Sequence, residues 1–338
     1  MKKIRWAICG SGHVAEQFVS DLKLLPEAEV VAVWSYQADD AESFGLRHNI
    51  PHRYSCYDEM LNQSDIDVVY VCVPSNLHME MSVRAMDSNK AVLCEKPIAL
   101  NLNQTQEMMR AASRNNVFLM EAMWTRFFPA MIKVREIVRN GEIGEILQVQ
   151  ANFGFRVPYT PAARLFNPAL GGGALLDCGV YGISMAYELL GQPLDIKAVG
   201  TVCSSGVDVQ NMVIYKAENG GIAQISSALV LNTPMDALIL GTAGSIYIHP
   251  VWFHPSTFTL TVGESVQVSK YKMTSDTAVD VIGMPYEGHG YHFEAAAVMD
   301  SLRKGEKENT LASHADSLAV IKIMDEARAQ MGVRYPCE

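Results

Sequence analysis

The sequence predicts an α/β protein with two domains, a doubly wound parallel sheet followed by a second domain built on a broad sheet. With 338 residues, of which 49% are apolar and 19% charged, the chain can bury a large core and is long enough for two domains. Short apolar runs alternate with helical patterns in the first third, whereas strand-like runs separated by turn residues follow later.

The elements of the first third follow from hydrophobic periodicity. Near-continuous apolar runs separated by helical patterns are typical of a parallel sheet that is covered on both faces. The predicted strands are residues 4–10, 29–35, 67–74, 90–97 and 117–122. The predicted helices between them are residues 15–25, 39–48, 57–63, 76–89 and 103–116.

A glycine-rich turn, GSGHVA at residues 10–15, lies between the first predicted strand and the first predicted helix. This is the G-x-G-x-x-A form of the dinucleotide fingerprint, in which the glycines allow a tight turn and a close approach of backbone to a pyrophosphate. The N–H groups of the helix N-terminus then face the phosphates. We therefore predict a dinucleotide site that includes Gly10, Ser11, Gly12, His13 and Val14.

The choice between NAD and NADP depends on the end of the second strand, where an acid selects the ribose hydroxyl and an arginine the 2′-phosphate. Ser35 and Tyr36 stand there, and neither is acidic or basic. The missing carboxylate removes repulsion against a phosphate, although Asp39 and Asp40 follow closely. The sequence predicts NADP or NAD, and it favours NADP.

Two further strand ends carry residues that packing does not explain. One reads VPSNLH at residues 73–78, and the other reads CEKP at residues 94–97. Because the carboxyl ends of parallel strands meet at one edge, we expect both at the cofactor site. Lys96 is a plausible proton donor or acceptor if partly buried, or else simply a solvated lysine. The other residues expected there are Val73, Pro74, Asn76, His78 and Glu95.

Composition excludes several classes of function. The net charge of -10 and the absence of a basic block argue against a nucleic acid or an anionic membrane as partner, and no run of eighteen apolar residues occurs. Seven cysteines without a CxxC pair indicate a reduced, cytoplasmic protein, and we expect no export signal. We expect no metal site, because the closest histidine pair, His289 and His292, has no cysteine or carboxylate at a spacing typical of zinc.

The Gly10 fingerprint, Val73-Pro74 and the E-K-P motif at residues 95–97 together resemble the family of glucose–fructose oxidoreductases and inositol dehydrogenases. EAMWTRFFP at residues 121–129 and GGALLDCGVY at residues 172–181 resemble its branch of dimeric dihydrodiol dehydrogenases and NADP-dependent xylose dehydrogenases. The resemblance covers nearly the whole chain. It implies a Rossmann domain over residues 1–122, an α/β domain with a large, mostly antiparallel open sheet over residues 123–338, and a homodimer or homotetramer formed through that sheet.

Strand signals in the second part agree with this implication. Alternating or β-branched runs are separated by turn residues, and Asn219-Gly220-Gly221 predicts a hairpin. The runs are residues 145–155, 197–206, 210–231, 236–250 and 256–263.

A glycine-led apolar helix at residues 171–191 carries two groups that an apolar core would not need. Asp177 and Tyr181 are four residues apart and share a face with Ser184, opposite an apolar stripe. The resemblance implies that Tyr181 passes the proton of a substrate hydroxyl, that Lys96 lowers the pKa of this phenol, and that Asp177 orients the substrate or the lysine. The alternative is a packed tyrosine and a helix-capping aspartate.

The expected reaction is hydride transfer between a nicotinamide and a carbinol carbon of a sugar, a polyol or a trans-dihydrodiol. Trp124 and Arg126 follow the last strand of the first domain, where they could also contact the cofactor. A sensor that binds cofactor and sugar without chemistry is the alternative. The candidate substrate contacts are Trp124, Arg126, Phe128, Phe153, Phe155, Arg156, Asp177, Trp252, Phe253 and His254.

Overall fold

The computed structural model describes residues 3–63, 65–263, 267–269, 272–274, 277–336 and 338. The chain divides into two compact units, Met1–Trp124 with Glu287–Ile321 and Thr125–Tyr286 with Lys322–Glu338. The division after Trp124 lies two residues beyond the boundary predicted at 122. The first unit also takes in Glu287–Ile321, a segment that the sequence analysis assigned to the second domain.

The first unit contains a six-stranded sheet in the order β3-β2-β1-β4-β5-β6, and all its neighbouring strands pair in parallel. This confirms the doubly wound prediction, to which the structure adds β3, a strand of three residues. The strands are β1 (Ile4–Cys9), β2 (Ala28–Trp34), β3 (His52–Tyr54), β4 (Val68–Val71), β5 (Ala91–Glu95) and β6 (Leu119–Ala122). The helices are α1 (His13–Leu22), α2 (Ala38–His48), α3 (Tyr57–Leu61), α4 (His78–Asp87) and α5 (Leu102–Asn115).

The second unit contains an eight-stranded sheet in the order β16-β13-β12-β11-β7-β10-β9-β8. Its pairs are antiparallel except β7 with β10, which confirms the predicted mostly antiparallel sheet. Its helices are α6 (Pro129–Arg139) and α7 (Val180–Leu190). The strands, including the separate ribbon β14–β15, are β7 (Ile146–Gly154), β8 (Pro193–Val202), β9 (Asp208–Ala217), β10 (Ile222–Ala228), β11 (Ala237–Gly241), β12 (Gly244–Ile248), β13 (Thr257–Gly263), β14 (Gln267–Ser269), β15 (Lys272–Thr274) and β16 (Thr277–Gly283).

The predicted hairpin at Asn219-Gly220-Gly221 joins β9 to β10. Lys216 pairs with Ile222 across it, and Gly220 has a φ of +87°, which favours glycine. The Gly221 N–H donates to Asn219 Oδ1 at 2.9 Å. The predicted run at 210–231 is therefore two antiparallel strands, as its turn residues indicated.

Helix α7 lies against the inner face of the large sheet. Gly182 allows this close approach, since a Cβ there would lie 2.6 Å from Ile225 Cγ2 on β10. The segment Pro168–Leu190 has the length and hydropathy of a membrane span, but 83% of its most apolar window is buried within the protein. The apolar character of α7 is thus that of a core helix.

Two helices complete the chain, α8 (Tyr291–Lys304) and α9 (His314–Met331). The carboxylate of Asp21 on α1 caps the start of α8, accepting the N–H groups of His289 at 2.9 Å, Gly290 at 2.7 Å and Tyr291 at 2.8 Å. Asp21 is 1% exposed. This buried cap is one of the contacts that join Glu287–Ile321 to the first unit, although the segment is distant in sequence.

Candidate active site

The turn between β1 and α1 has the geometry that a pyrophosphate needs. Gly10 has a φ of +123°, and a Cβ there would lie 2.9 Å from the carbonyl oxygen of Cys72. Gly12 is the N-cap of α1 and provides no side-chain hydrogen bond to the helix. A Cβ on Gly12 would meet nothing within 4 Å, so the space beside this helix N-terminus is open. His13 and Val14 begin the helix itself.

Ser11 and Ser35 join the ends of β1 and β2. Ser11 Oγ donates to Ser35 Oγ at 2.9 Å, and Ser35 is 7% exposed. Because a hydroxyl can accept one hydrogen bond and donate another, Ser35 can still donate to a ribose or phosphate oxygen. Tyr36, the next residue, is 87% exposed and is available to contact a ligand.

His78 connects the two strand ends that the sequence analysis singled out. Its Nδ1 lies 2.8 Å from the carbonyl oxygen of Pro97, and its Nε2 lies 2.9 Å from that of Val73. The imidazole therefore holds the end of β4 next to the E-K-P turn, which is a structural role. Nearby, Asn76 Oδ1 is buried without a partner among the described residues. An unpaired buried acceptor is costly, which fits a site completed by a ligand donor.

The backbone of Lys96 is fixed by the preceding glutamate. Glu95 Oε2 accepts the Lys96 N–H at 3.2 Å, and Glu95 Oε1 accepts the hydroxyl of Tyr70 at 2.5 Å. Burial raises the pKa of Glu95, an effect that the charge of Lys96 and the Tyr70 bond oppose. Lys96 itself is half-buried at the end of β5. The glutamate of the motif thus faces inward and fixes the backbone at the lysine.

Glu294 on α8 is a buried acid of the first unit that the sequence analysis missed. It is 0% exposed, and both carboxyl oxygens lack a partner among the described residues. Burial raises its pKa well above the ordinary value, and the charge of Glu95 adds to this. A glutamate in an amphipathic helix gives no sequence signal for such a position. Burial therefore favours its neutral form, since an isolated charge is costly to bury.

Asp177 and Tyr181 lie on one continuous helical segment of the second unit. Asp177 is in a π-helical turn, Leu175–Gly179, that leads directly into α7. Its Oδ1 accepts a hydrogen bond from Arg164 Nη1 at 2.9 Å, and its side chain is 14% exposed. The carboxylate of Asp177 is therefore paired with an arginine. Arg164 lies in the stretch before the glycines, where the sequence carried no signal for it.

Two aromatic rings lie beside the side chain of Tyr181. Phe153 and Phe253 stack on each other with centroids 3.9 Å apart and an interplanar angle of 8°. The ring of Tyr181 is tilted against both, with centroid distances of 5.6 Å to Phe153 and 5.4 Å to Phe253. Tyr181 is 6% exposed, so its ring has little freedom to reorient. This wall suits a substrate that presents an apolar ring face.

Other candidate substrate residues are used in packing. Trp252 is fully buried and its indole N–H donates to the Asn152 carbonyl at 2.9 Å. Phe128 is also fully buried and packs edge-on against Tyr286. Both side chains therefore form part of the packed core in this structure. An apolar sequence pattern alone does not distinguish such a core residue from one that lines a substrate site.

Three further candidate residues, Trp124, Arg126 and Arg156, differ in their surroundings. Arg126 is 5% exposed, and its Nε donates to Ser184 Oγ at 3.1 Å. The hydroxyl of Ser184, which the sequence analysis placed on the polar face of α7, therefore accepts a hydrogen bond from this arginine. Arg156 is exposed. Trp124 stacks on Tyr291 of α8 with centroids 4.4 Å apart. Within the described residues, no group of three or more His, Cys, Asp or Glu side chains could hold a metal ion.

Comparison with known proteins gives the same outline. A family profile described as an oxidoreductase family with an NAD-binding Rossmann fold matches residues 4–123. A second profile, the GFO/IDH/MocA C-terminal domain, matches residues 131–247. Together the two profiles cover the parallel sheet and most of the antiparallel one.

Similar proteins of known activity match along their full length. The trans-1,2-dihydrobenzene-1,2-diol dehydrogenase of Danio rerio is 35% identical over 336 residues, 98% of each chain. The NADP(+)-dependent scyllo-inositol 2-dehydrogenase of Bacillus subtilis is 33% identical over 341 residues, 99% of each chain. Among solved structures, a 3-ketoreductase from Actinomadura kijaniata in complex with NADP is 26% identical, with a TM-score of 0.81 over 98% of each chain.

Proposed function

Because the chain belongs to the GFO/IDH/MocA oxidoreductase family, we propose that it transfers a hydride between NAD(P) and a carbinol carbon of a sugar, a polyol or a trans-dihydrodiol. The observation that carries this proposal is the position of Tyr181 beside the stacked rings of Phe153 and Phe253, one helical turn after Asp177. A tyrosine placed in this way can exchange a proton with a substrate hydroxyl. Diol and inositol dehydrogenases among the relatives support the same substrate classes.

The residues at the ends of β1, β2 and β4 would hold the cofactor, whose nicotinamide accepts or donates the hydride. Gly10, Gly12 and the first turn of α1 suit the pyrophosphate, and Ser35 suits the adenosine ribose or its phosphate. The unpaired Asn76 Oδ1 supports a further polar contact. We favour NADP, because no carboxylate occupies the end of β2 and the Bacillus subtilis relative uses NADP(+).

Proton handling falls to three side chains. Tyr181 passes the proton of the carbinol hydroxyl, and the ammonium group of Lys96 bonds the same oxygen and stabilises the phenolate. Asp177 orients the substrate, and Arg164 holds that carboxylate in place through the 2.9 Å bond. Phe153 and Phe253 pack against the ring of the substrate. This contact favours cyclic diols and pyranoses over extended polyols.

Turnover with both cofactors across pentoses, hexoses, inositols and trans-diols tests the function. Lys96→Met removes the amine, so we expect turnover to fall by about two to four orders of magnitude. The dissociation constant for NADP should change by no more than a few fold. Equal activity in the variant would exclude the lysine from the mechanism. If the wild type binds NADP tightly but turns over no member of the panel, the protein is a sensor instead.

We also propose that the protein is a cytoplasmic homo-oligomer that pairs through the outer face of the large sheet. Ile214, Gln224, Leu238 and Val281 lie in one row across that face, as the strand registers require. On the neighbouring strands β8, β9 and β10 of this face, Val199 is 70%, Ile214 42% and Ile222 44% exposed, and contiguous exposed apolar residues are typical of protein interfaces. The free cysteines among the described residues support a reducing compartment.

A further inference from the structure

Asp208, the first residue of β9, makes contacts that link the large sheet to the turn before α7. It is 0% exposed. Its Oδ2 accepts the backbone N–H of Leu175 at 2.9 Å and the side-chain amide of Asn211 at 2.6 Å. Leu175 opens the π-helical turn that contains Asp177. A carboxylate delivered by the sheet therefore satisfies the first N–H of the segment that carries the candidate catalytic groups.

The glycine run before this turn is shaped around the same carboxylate. Gly173 has a φ of +124°, and a Cβ there would lie 2.6 Å from Asp208 Oδ1. Gly172 is confined from the other side, since its Cβ would lie 2.6 Å from the Arg164 carbonyl oxygen. The Gly172 carbonyl accepts the hydroxyl of Tyr335 at 2.6 Å. Only glycines allow the chain to pass between these contacts, so the backbone that enters the turn has one available path.

A cap for stability alone would not need this arrangement. A serine or threonine beside the helix caps an N-terminus without burying a charge. Here burial raises the pKa of the Asp208 carboxyl, which the Asn211 and Leu175 donors oppose, and Oδ1 has no partner among the described residues. The buried carboxylate of Asp208 is unfavourable by itself, yet it lies at the start of the segment that carries Asp177 and Tyr181. Such a position is typical of a supporting residue that fixes functional side chains.

We propose that Asp208 is a positioning residue, whose buried carboxylate fixes the turn before α7 and thereby sets where Asp177 and Tyr181 point. This inference rests on the proposed function of those two side chains. Asp208 does not need to touch the substrate or the cofactor. Its contribution is made through the Leu175 N–H and through the path that Gly173 leaves open.

The test compares Asp208→Asn with Asp21→Asn, a variant of the buried aspartate that caps α8 in the first unit. In Asp208→Asn we expect faster amide hydrogen exchange in the peptide covering residues 174–181. We expect kcat to fall by about 100-fold, as a small misplacement of catalytic groups can cause. The dissociation constant for NADP, measured by fluorescence, should stay within about twofold, since differential loss in turnover alone marks a positioning effect. Asp21→Asn should lower Tm but leave kcat, measured well below Tm, and exchange at 174–181 unchanged.

Asp208→Asn could instead lower Tm while its kcat and its exchange at 174–181 match those of Asp21→Asn. That result would overturn the inference. If Asp208→Asn does not fold, Asn211→Ser removes one donor to the same carboxylate and should show a smaller loss of kcat and protection in the same direction. No loss in that variant would also overturn it. Failure of the proposed function is distinguishable, since the wild type would then turn over no substrate while the exchange comparison still decides whether Asp208 orders the turn.

Discussion

Two tyrosines on α7 show how surroundings decide the role of a hydroxyl. Tyr181 is 6% exposed and lies beside two phenylalanine rings, against which its own ring is tilted. Tyr187, six residues later on the same helix, is more exposed and accepts a hydrogen bond from the Gln192 amide at 3.1 Å. The two residues share a chemical group and a helix, but Tyr181 lies beside aromatic rings that could receive a substrate ring, whereas the Tyr187 hydroxyl bonds an amide.

Removing the two hydroxyls separately tests this difference. Tyr181→Phe keeps the ring in its aromatic surroundings but deletes the proton donor, so we expect kcat to fall by about two to four orders of magnitude. Tyr187→Phe is the matched control and should keep wild-type kcat. Steady-state kinetics with the best substrate of the panel give both values. Equal losses in the two variants would show that the phenol of Tyr181 has no special role.

Arg164 is the residue-scale feature that the sequence analysis did not find. Its pairing with Asp177 depends on the chain folding back over thirteen residues, so neither periodicity nor a motif marks it. Lys96, by contrast, stood out because a lysine after an apolar strand is poorly explained by packing. Chemistry at strand ends is visible in a sequence, whereas the partner that holds a group from a loop is not.

At the scale of the elements, helix α8 carries a buried acid, Glu294, whose effect on the stability of the fold depends on pH. Glu294 lies inside the first unit without a partner among the described residues, and its pKa is raised from 4.5 by burial. The folded state therefore holds a proton that the unfolded chain releases near its ordinary pKa. Because stability falls with rising pH wherever the folded state binds more protons, this carboxyl destabilises the protein as the pH rises above 4.5.

Glu294→Gln replaces the acid with a neutral group of the same shape and removes this penalty. We expect the variant to unfold at a higher urea concentration than the wild type at about pH 8, and the difference to shrink towards about pH 5. Glu326→Gln on α9 is the control, because Glu326 is exposed. A difference that is constant with pH, or grows towards acid, would contradict the assignment of a raised pKa.

Most strands and helices were predictable because their patterns are local. The five parallel strands, α1 to α5 and the hairpin of β9 and β10 appear within a few residues of their predicted positions. The short β3, α6 and α8 were missed, as was β16. The π-helical turn was also unexpected, because a hydrophobic period of 3.6 residues does not distinguish i→i+5 hydrogen bonds from those of an α-helix. It depends on the glycines and on Asp208, which is distant in sequence.

At the scale of the whole molecule, the family and the fold class are confirmed, because the matched profiles and the full-length relatives agree with the two sheets. Residues 287–321 show what the sequence could not reveal. They are joined to the first unit by contacts between distant residues, among them the Asp21 cap, whose partners are about 270 positions apart. The roles assigned to Lys96, Asp177 and Tyr181 stay predictions until kinetics test them.

The outer face of the large sheet provides a prediction at this scale. A charge among the exposed apolar side chains of this face should prevent association, so we expect Ile214→Lys to reduce the molar mass measured by light scattering. Leu46→Lys on α2 is the control, since Leu46 is 59% exposed and lies in the other unit. A wild-type mass equal to that of one chain, or an unchanged mass in Ile214→Lys, would exclude pairing through this face.

The most direct test of the mechanism is a kinetic double-mutant cycle of Lys96→Met and Tyr181→Phe. Groups that serve one substrate oxygen act as a unit, so their losses are not additive. We expect kcat of the double variant to lie within about tenfold of that of the more impaired single variant. A double variant whose loss equals the product of the two single losses would show that the amine and the phenol act independently.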